Sequence, residues 1–156
     1  MERLLHYIWK HRILPLKALV TTDGEELEVI DPGMHNHDQG PDFFNAKIRL
    51  DGTLWAGNVE IHLRSGDWYR HGHHQDTAYD NTILHVVGVA DCEVETSSGK
   101  RLPQLELVVP PSLSVHYHEL CQTDDYPRCH RMIPHLDPLR VHSWMDALLA
   151  ERMEER

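Results

Sequence analysis

Three side chains in this sequence have the types and spacing to do chemistry together: Asp42, Glu60 and His62. Asp42 closes the loop string Gly40-Pro41-Asp42 and leads into FFNAKIRL, while Glu60 and His62 lie in TLWAGNVEIHLR. Asp51-Gly52 stands between the two strings as a turn signal, so they are expected to form a hairpin that brings Asp42 toward the Glu60–His62 face. Strand alternation sorts the second string into two faces. Trp55, Gly57, Val59, Ile61 and Leu63 suit a core, whereas Ala56, Asn58, Glu60, His62 and Arg64 line up amide, carboxylate, imidazole and guanidinium. A solvated strand face is the plain alternative for that second set. Two carboxylates a few ångströms apart repel, and a divalent cation relieves the repulsion. Such a cation would polarise a phosphoryl oxygen and lower the pKa of a bound water, which is the chemistry of metal-assisted hydrolysis.

Histidine is the second compositional signal, with fourteen in the chain. His71, His73 and His74 are followed by Asp76 and Asp80, and His85 lies inside the apolar string ILHVV, where an imidazole is costly without a partner. One reading places His85 and one of the loop histidines, His71 or His73, with Glu60 and His62 around a metal, as a mostly nitrogen site. The other makes His85 a partnered core histidine and the HGHH run a solvated loop, and His74 fits that one better. The cysteines Cys92, Cys121 and Cys129 lack a CxxC pair, which argues against a disulfide framework and fits a reducing compartment. Cys121 with Cys129-His130 has irregular spacing for a metal site. There is no Gly-rich phosphate loop, no HExxH and no GxSxG. Asn36 and Asp38 read as turn caps.

The elements that would position these residues follow from the pattern. Residues 2–13 have the apolar spacing of an amphipathic helix stopped by Pro15. LKALVTT and ELEVI flank Asp23-Gly24 as a hairpin, and DPGMHNHDQGPD is expected to be loop. DWYRHGHHQDTAYDN reads as loop with a short helix, TILHVVGVAD as a buried strand, and CEVETSSGKRLPQLELVV as a further hairpin turning at Ser98-Gly99. Pro110-Pro111 precedes an irregular region. The final segment, from Leu136, forms a charge-rich amphipathic helix without a C-cap signal, which suggests the front part of a longer chain.

The totals bound the class. A chain of 156 residues with 40% hydrophobic and 26% charged residues is a globular domain, without any run near the ~20 apolar residues of a membrane span. No signal peptide opens it, so it is expected to be cytoplasmic. The net charge of −10 counts against binding nucleic acid by charge alone. Residues 42–70, however, balance Asp42, Asp51, Glu60 and Asp67 against Lys47, Arg49, Arg64 and Arg70, and this neutral island could approach a polyanion with a cation bound.

Gly40-Pro41-Asp42 followed by Glu60-Ile61-His62 resembles the PD-(D/E)XK signature of the restriction-endonuclease-like nucleases. That resemblance implies a helix, three antiparallel strands, a helix and a strand. It also implies Asp42, Glu60 and the carbonyl of Ile61 as metal ligands, with His62 where the lysine stands. Histidine there would shift the preference from Mg²⁺ toward Mn²⁺, Fe²⁺ or Zn²⁺. Lys47 on the neighbouring strand could restore the ammonium, although alternation places it opposite Asp42. HYIWK, GPDFFNAKI, WAGNVEIHL, DW, YDN, ILHVV and SWMDALLAER, in that order, resemble a longer family of uncharacterised bacterial proteins.

The expectation is therefore an α/β (α+β) fold, a mixed, largely antiparallel sheet flanked by helices around a restriction-endonuclease-like core. Residues 1–111 would form the core domain with the site, and 112–156 an irregular segment and C-terminal helix. The expected function is a metal-dependent hydrolase with Mg²⁺ or Mn²⁺, or Zn²⁺ because of His62. Nucleic acid would be its substrate, with Asp42 and Glu60 on the metal and His62 as general base or charge stabiliser. The alternative is a non-catalytic scaffold of the same fold. Its partner would be the remainder of a longer chain or a second copy, met through the last helix.

Overall fold

The computed structural model describes residues 2–13, 19–122 and 135–154. Pro15, expected to stop the first helix, and Cys129 and His130, weighed as metal ligands, lie outside them. The chain divides into two units, Met1–Ser114 and Val115–Arg156, a boundary that runs through a helix.

The first helix, α1 (Glu2–His11), buries Leu4, Leu5, Ile8 and Trp9. It ends before the expected stop. Arg12 turns into the left-handed region at φ 50°, and the Ile13 N–H returns to the Ile8 carbonyl, a Schellman-type closure that leaves Ile13 outside the core.

Among the described residues, seven strands form one sheet: β1 (Leu19–Val20), β2 (Glu26–Asp31), β3 (Met34–His35), β4 (Phe43–Leu50), β5 (Thr53–Arg64), β6 (Thr82–Val89) and β7 (Gln104–Glu106). Their order is β1-β2-β4-β5-β6-β7, with β3 beside β4. Pairings from β1 to β5 are antiparallel, and β5–β6 and β6–β7 are parallel, so the sheet is mixed and mostly antiparallel as expected. The β4–β5 hairpin turns at Asp51-Gly52, both with positive φ, the conformation of a type I′ turn.

Between β5 and β6 the chain crosses over through α2 (Asp67–Arg70) and two 3₁₀ turns, His73–Gln75 and Thr77–Tyr79. Leu5 of α1 lies 3.6 Å from where a Cβ on Gly88 would sit. Gly88 points away from the face of its neighbour Val87, which pairs with His62, so α1 covers the side opposite His62. Trp68 of α2 packs on His85, whose register places it on the side of Glu60 and His62. The central strands are thus covered on both sides, which is why Asn58, Glu60 and His62 are buried along with Val59 and Ile61. The polar face of β5 is not a solvated one. Conversely, Trp55 (42% exposed) and Leu63 (38%) leave the expected core at the strand's two ends.

Three further expectations change. The 31–42 loop contains the short strand β3. The expected hairpin after Cys92 shrinks to a Glu95–Arg101 bridge, because the chain beyond Pro103 leaves its neighbour and pairs in parallel with β6 instead. Residues after Pro110 form α3 (Pro111–Gln122), with proline at the first helical position, where its missing N–H costs nothing. The last helix, α4 (Pro138–Glu154), falls in the expected segment. No helix among the described residues is long and apolar enough to cross a membrane.

Candidate metal centre

Asp42 and the β5 strand hold one another through their main chains. The Asp42 N–H donates to Glu60 Oε2 at 3.0 Å, and the Ile61 N–H donates to Asp42 Oδ2 at 2.9 Å. Ile61 thus holds Asp42 through its N–H. These two bonds fix both carboxylates and leave Glu60 Oε1 facing imidazoles: His73 Nε2 at 3.2 Å and His62 Nε2 at 3.6 Å. His73 Nε2 is off hydrogen-bond alignment and has no other partner. His6 Nε2 on α1 stands likewise 3.3 Å from Asp42 Oδ2 without a formed hydrogen bond.

His62 is the hub. Its Nδ1 lies 2.9 Å from His85 Nε2 and its Nε2 lies 3.1 Å from His71 Nδ1. Donor atoms of His62, His71 and His73 all lie within 4.8 Å of one another, the only group of this kind among the described residues that could hold a metal ion. Tyr79 stacks on His73 with ring centroids 3.8 Å apart, and Trp68 meets it edge-on, so the His73 ring is held from two sides. Trp68 is anchored in turn by its Nε1–H donating to the Glu95 carbonyl at 2.9 Å.

His85 does not join the triad. Its ring nitrogens are taken by His62 and by Gln104 Oε1, which makes it a partnered core histidine. His74 also lies outside the triad, against Tyr69. Lys47 is exposed and paired with Ala56, four residues along β5 from Glu60, or roughly 13 Å at strand rise. Expectation placed it opposite Asp42. A bulge between Phe43 and Ala46, with Asn45 at φ 55°, reverses the alternation and puts it on the same side, though away from the site. The freed Asn45 N–H is caught by Asn58 Oδ1.

Burial controls the charges. It pushes His62 down to about 2, aided by His85, His73 and His71, and it pushes His85 down to about 4 against the hydrogen bond to Gln104. It raises Glu60, with Asp42 adding to the effect and His73 opposing it. Burial lowers His6, but the adjacent Asp42 together with Glu2 and Glu60 more than offsets this and the pKa ends raised. Tyr79 is pushed up to about 12, by burial first and then by Glu60, Asp76 and Asp42.

A model of the family described as protein of unknown function (DUF2851) matches residues 2–156. The chain belongs to the DUF2851 family. No curated protein and no solved structure matches it.

In this DUF2851 chain the triad opens on a cavity of about 410 Å³. Five carboxylates line it (Glu2, Asp38, Asp42, Glu60 and Asp76), and no lysine or arginine does. A second cavity, of about 500 Å³ beside Trp55 and Lys100, contains none of these residues. Neutral imidazoles with a carboxylate beside them are donors that suit Zn²⁺, Mn²⁺ or Fe²⁺ better than Mg²⁺. Sequence reasoning missed His6, Tyr79 and Gln104. The first sits off the apolar stripe of its helix, and the other two become partners only through the crossover and the parallel register.

Proposed function

We propose that this DUF2851 protein is a divalent-metal-dependent hydrolase, with the phosphodiesters of nucleic acid as its substrate class. The observation that carries the proposal is the convergence of His62, His71 and His73 beside Glu60 and Asp42, with the buried His73 Nε2 left without a hydrogen-bond partner. His62, His71 and His73 serve as ligands, with Glu60 Oε1 next to them. A bound cation would supply a Lewis acid and an activated water. His62, with its Nδ1 held by His85 and its Nε2 beside Glu60, suits ligation better than proton transfer. The carboxylates of Glu60 and Asp42 are the groups placed to accept the proton of the attacking water. The nuclease-like core draws support from chain order: α1, antiparallel β2, β4 and β5, then α2 and β6, with Asp42 opening β4 and Glu60 on β5. The free thiols Cys92 and Cys121 suit a reducing cytoplasm.

The test is calorimetry and thermal melting with Zn²⁺, Mn²⁺ and Mg²⁺, followed by cleavage assays on single- and double-stranded DNA and RNA. Metal at ~100 times Kd should add ~2.7 kcal/mol to the stability of the unsubstituted protein. His73→Ala and His71→Ala should abolish that gain while the metal-free fold persists. No heat and no melting shift with any of the three ions sinks the reading. The acidic lining favours a second reading, a metal-stabilised scaffold without catalysis, which metal binding without cleavage would support.

A further inference from the structure

Gln104 on β7 pairs with His85 on β6, and His85 pairs with Glu60 on β5, so a line of polar side chains runs across the buried sheet into the site. The orientation of the Gln104 amide is set by its partners. Gln104 Nε2 donates to the Cys92 carbonyl at 2.8 Å, and a carbonyl oxygen can only accept. Gln104 Oε1 therefore faces the Ser65 hydroxyl at 2.6 Å and His85 Nδ1 at 3.2 Å. Since Oε1 has no hydrogen to give, His85 Nδ1 carries one. His85 is wholly buried and both of its nitrogens meet uncharged groups, so the ring is neutral and its Nε2 is a bare lone pair. That lone pair stands 2.9 Å from His62 Nδ1, which must supply the hydrogen. His62 is left with its lone pair on Nε2, the nitrogen that looks toward His71 and Glu60.

We propose that Gln104 and His85 are positioning residues that fix His62 in the Nδ1–H tautomer and so present its Nε2 as a metal donor. A ligating histidine usually hands its other N–H to an acceptor that sets both tautomer and ring orientation. Here the acceptor is a second imidazole, aimed in turn by a buried amide. Ser65 holds that amide from one side and Cys92 from the other. The inference rests on the metal reading of the site, although its first test needs no metal.

That test is long-range ¹H–¹⁵N correlation of the imidazole rings in the metal-free chain of 156 residues. His62 should appear with its hydrogen on Nδ1 and a bare Nε2. The second test is Zn²⁺ affinity. Gln104→Leu removes the acceptor and should weaken binding 10–100-fold, the usual effect of losing such a partner. Ser65→Ala, a smaller change, should weaken binding in the same direction. His62 with its hydrogen on Nε2, or a Gln104→Leu protein that binds Zn²⁺ as tightly as the unsubstituted one, overturns the relay. If Gln104→Leu does not fold, the spectrum of the unsubstituted chain still decides. The Nδ1–H tautomer in a protein with no affinity for Zn²⁺, Mn²⁺ or Mg²⁺ would overturn the metal reading, and with it the role given to the relay.

Discussion

At the scale of single residues, burying two imidazoles has a consequence for pH. His62 is held down to about 2 and His85 to about 4, while an unfolded histidine titrates near 6.5. As pH falls below about 6.5, the unfolded chain takes up protons that the native rings refuse, so stability falls with acidification until the native pKa is reached. Each ring contributes up to about 1.4 kcal/mol per pH unit within that window. Glu60 and His6 act the other way, since both are raised. Their protonated forms stabilise the fold at lower pH, and that contribution is lost as pH rises through their shifted values. Two strongly lowered rings outweigh them, and a net loss on the order of 2 kcal/mol is expected between pH 6.5 and 5. Urea midpoints across that range would measure it, and His85→Gln should flatten the slope. A midpoint that holds steady or rises on acidification would contradict the neutral-imidazole account. The site was partly legible from residue types. Asp42, Glu60, His62, His71 and His73 were all named from spacing. His85 could not be sorted into ligand or support, because that depends on Gln104, which reaches it only through the sheet register.

At the scale of elements, the β5–β6 seam leaves no room at Gly57. A Cβ there would lie 2.4 Å from Ile83 Cγ2 and 2.6 Å from the Asn81 carbonyl oxygen. The side chain could rotate away, but the backbone oxygen, which accepts from the Asn58 N–H, could not. Gly57→Ala should therefore cost about 1–3 kcal/mol, the range for overpacking a closed interior. Gly52→Ala is the informative contrast. Open space surrounds that position, so its penalty comes only from φ +81° and should be about 1–2 kcal/mol. Urea melts with unchanged m-values would compare them, and the Gly57 variant should also lose metal affinity by displacing β5 against β6. Equal penalties without a change in metal affinity would show that the seam yields. The hairpins at Asp23-Gly24 and Asp51-Gly52 were readable because turn chemistry is local. The bulge at Asn45 and the parallel docking of β7 were not, since each depends on a partner strand distant in sequence. Alternation sorted the two faces of β5, but whether the polar face is solvated depended on the cover that the 67–79 connection supplies.

At the scale of the whole molecule, charge decides how a polyanion could approach. The chain carries −10 overall, and five carboxylates line the cavity without a lysine or arginine among them. Proteins that hold nucleic acid by charge neutralise several phosphates, and log K then falls steeply with log salt, by about 0.9 per phosphate on duplex DNA. This surface offers no such set at the site. Arg49 and Arg64, part of the neutral island, are already paired with Glu28 and Asp91. A phosphodiester would therefore have to be drawn in by the cation itself, so binding should need metal and depend little on monovalent salt. The expected outcome is no measurable binding of duplex or single-stranded nucleic acid in EDTA. With Zn²⁺ or Mn²⁺, binding should show a salt slope shallower than about −2, equivalent to about two phosphates or fewer. Fluorescence anisotropy across 50–200 mM salt would read both. Tight binding in EDTA with a steep slope would mean that a basic surface elsewhere does the work, and that the acidic cavity is not where nucleic acid is held. Metal-dependent binding that disappears in His73→Ala would tie the polyanion to the His62–His71–His73 centre.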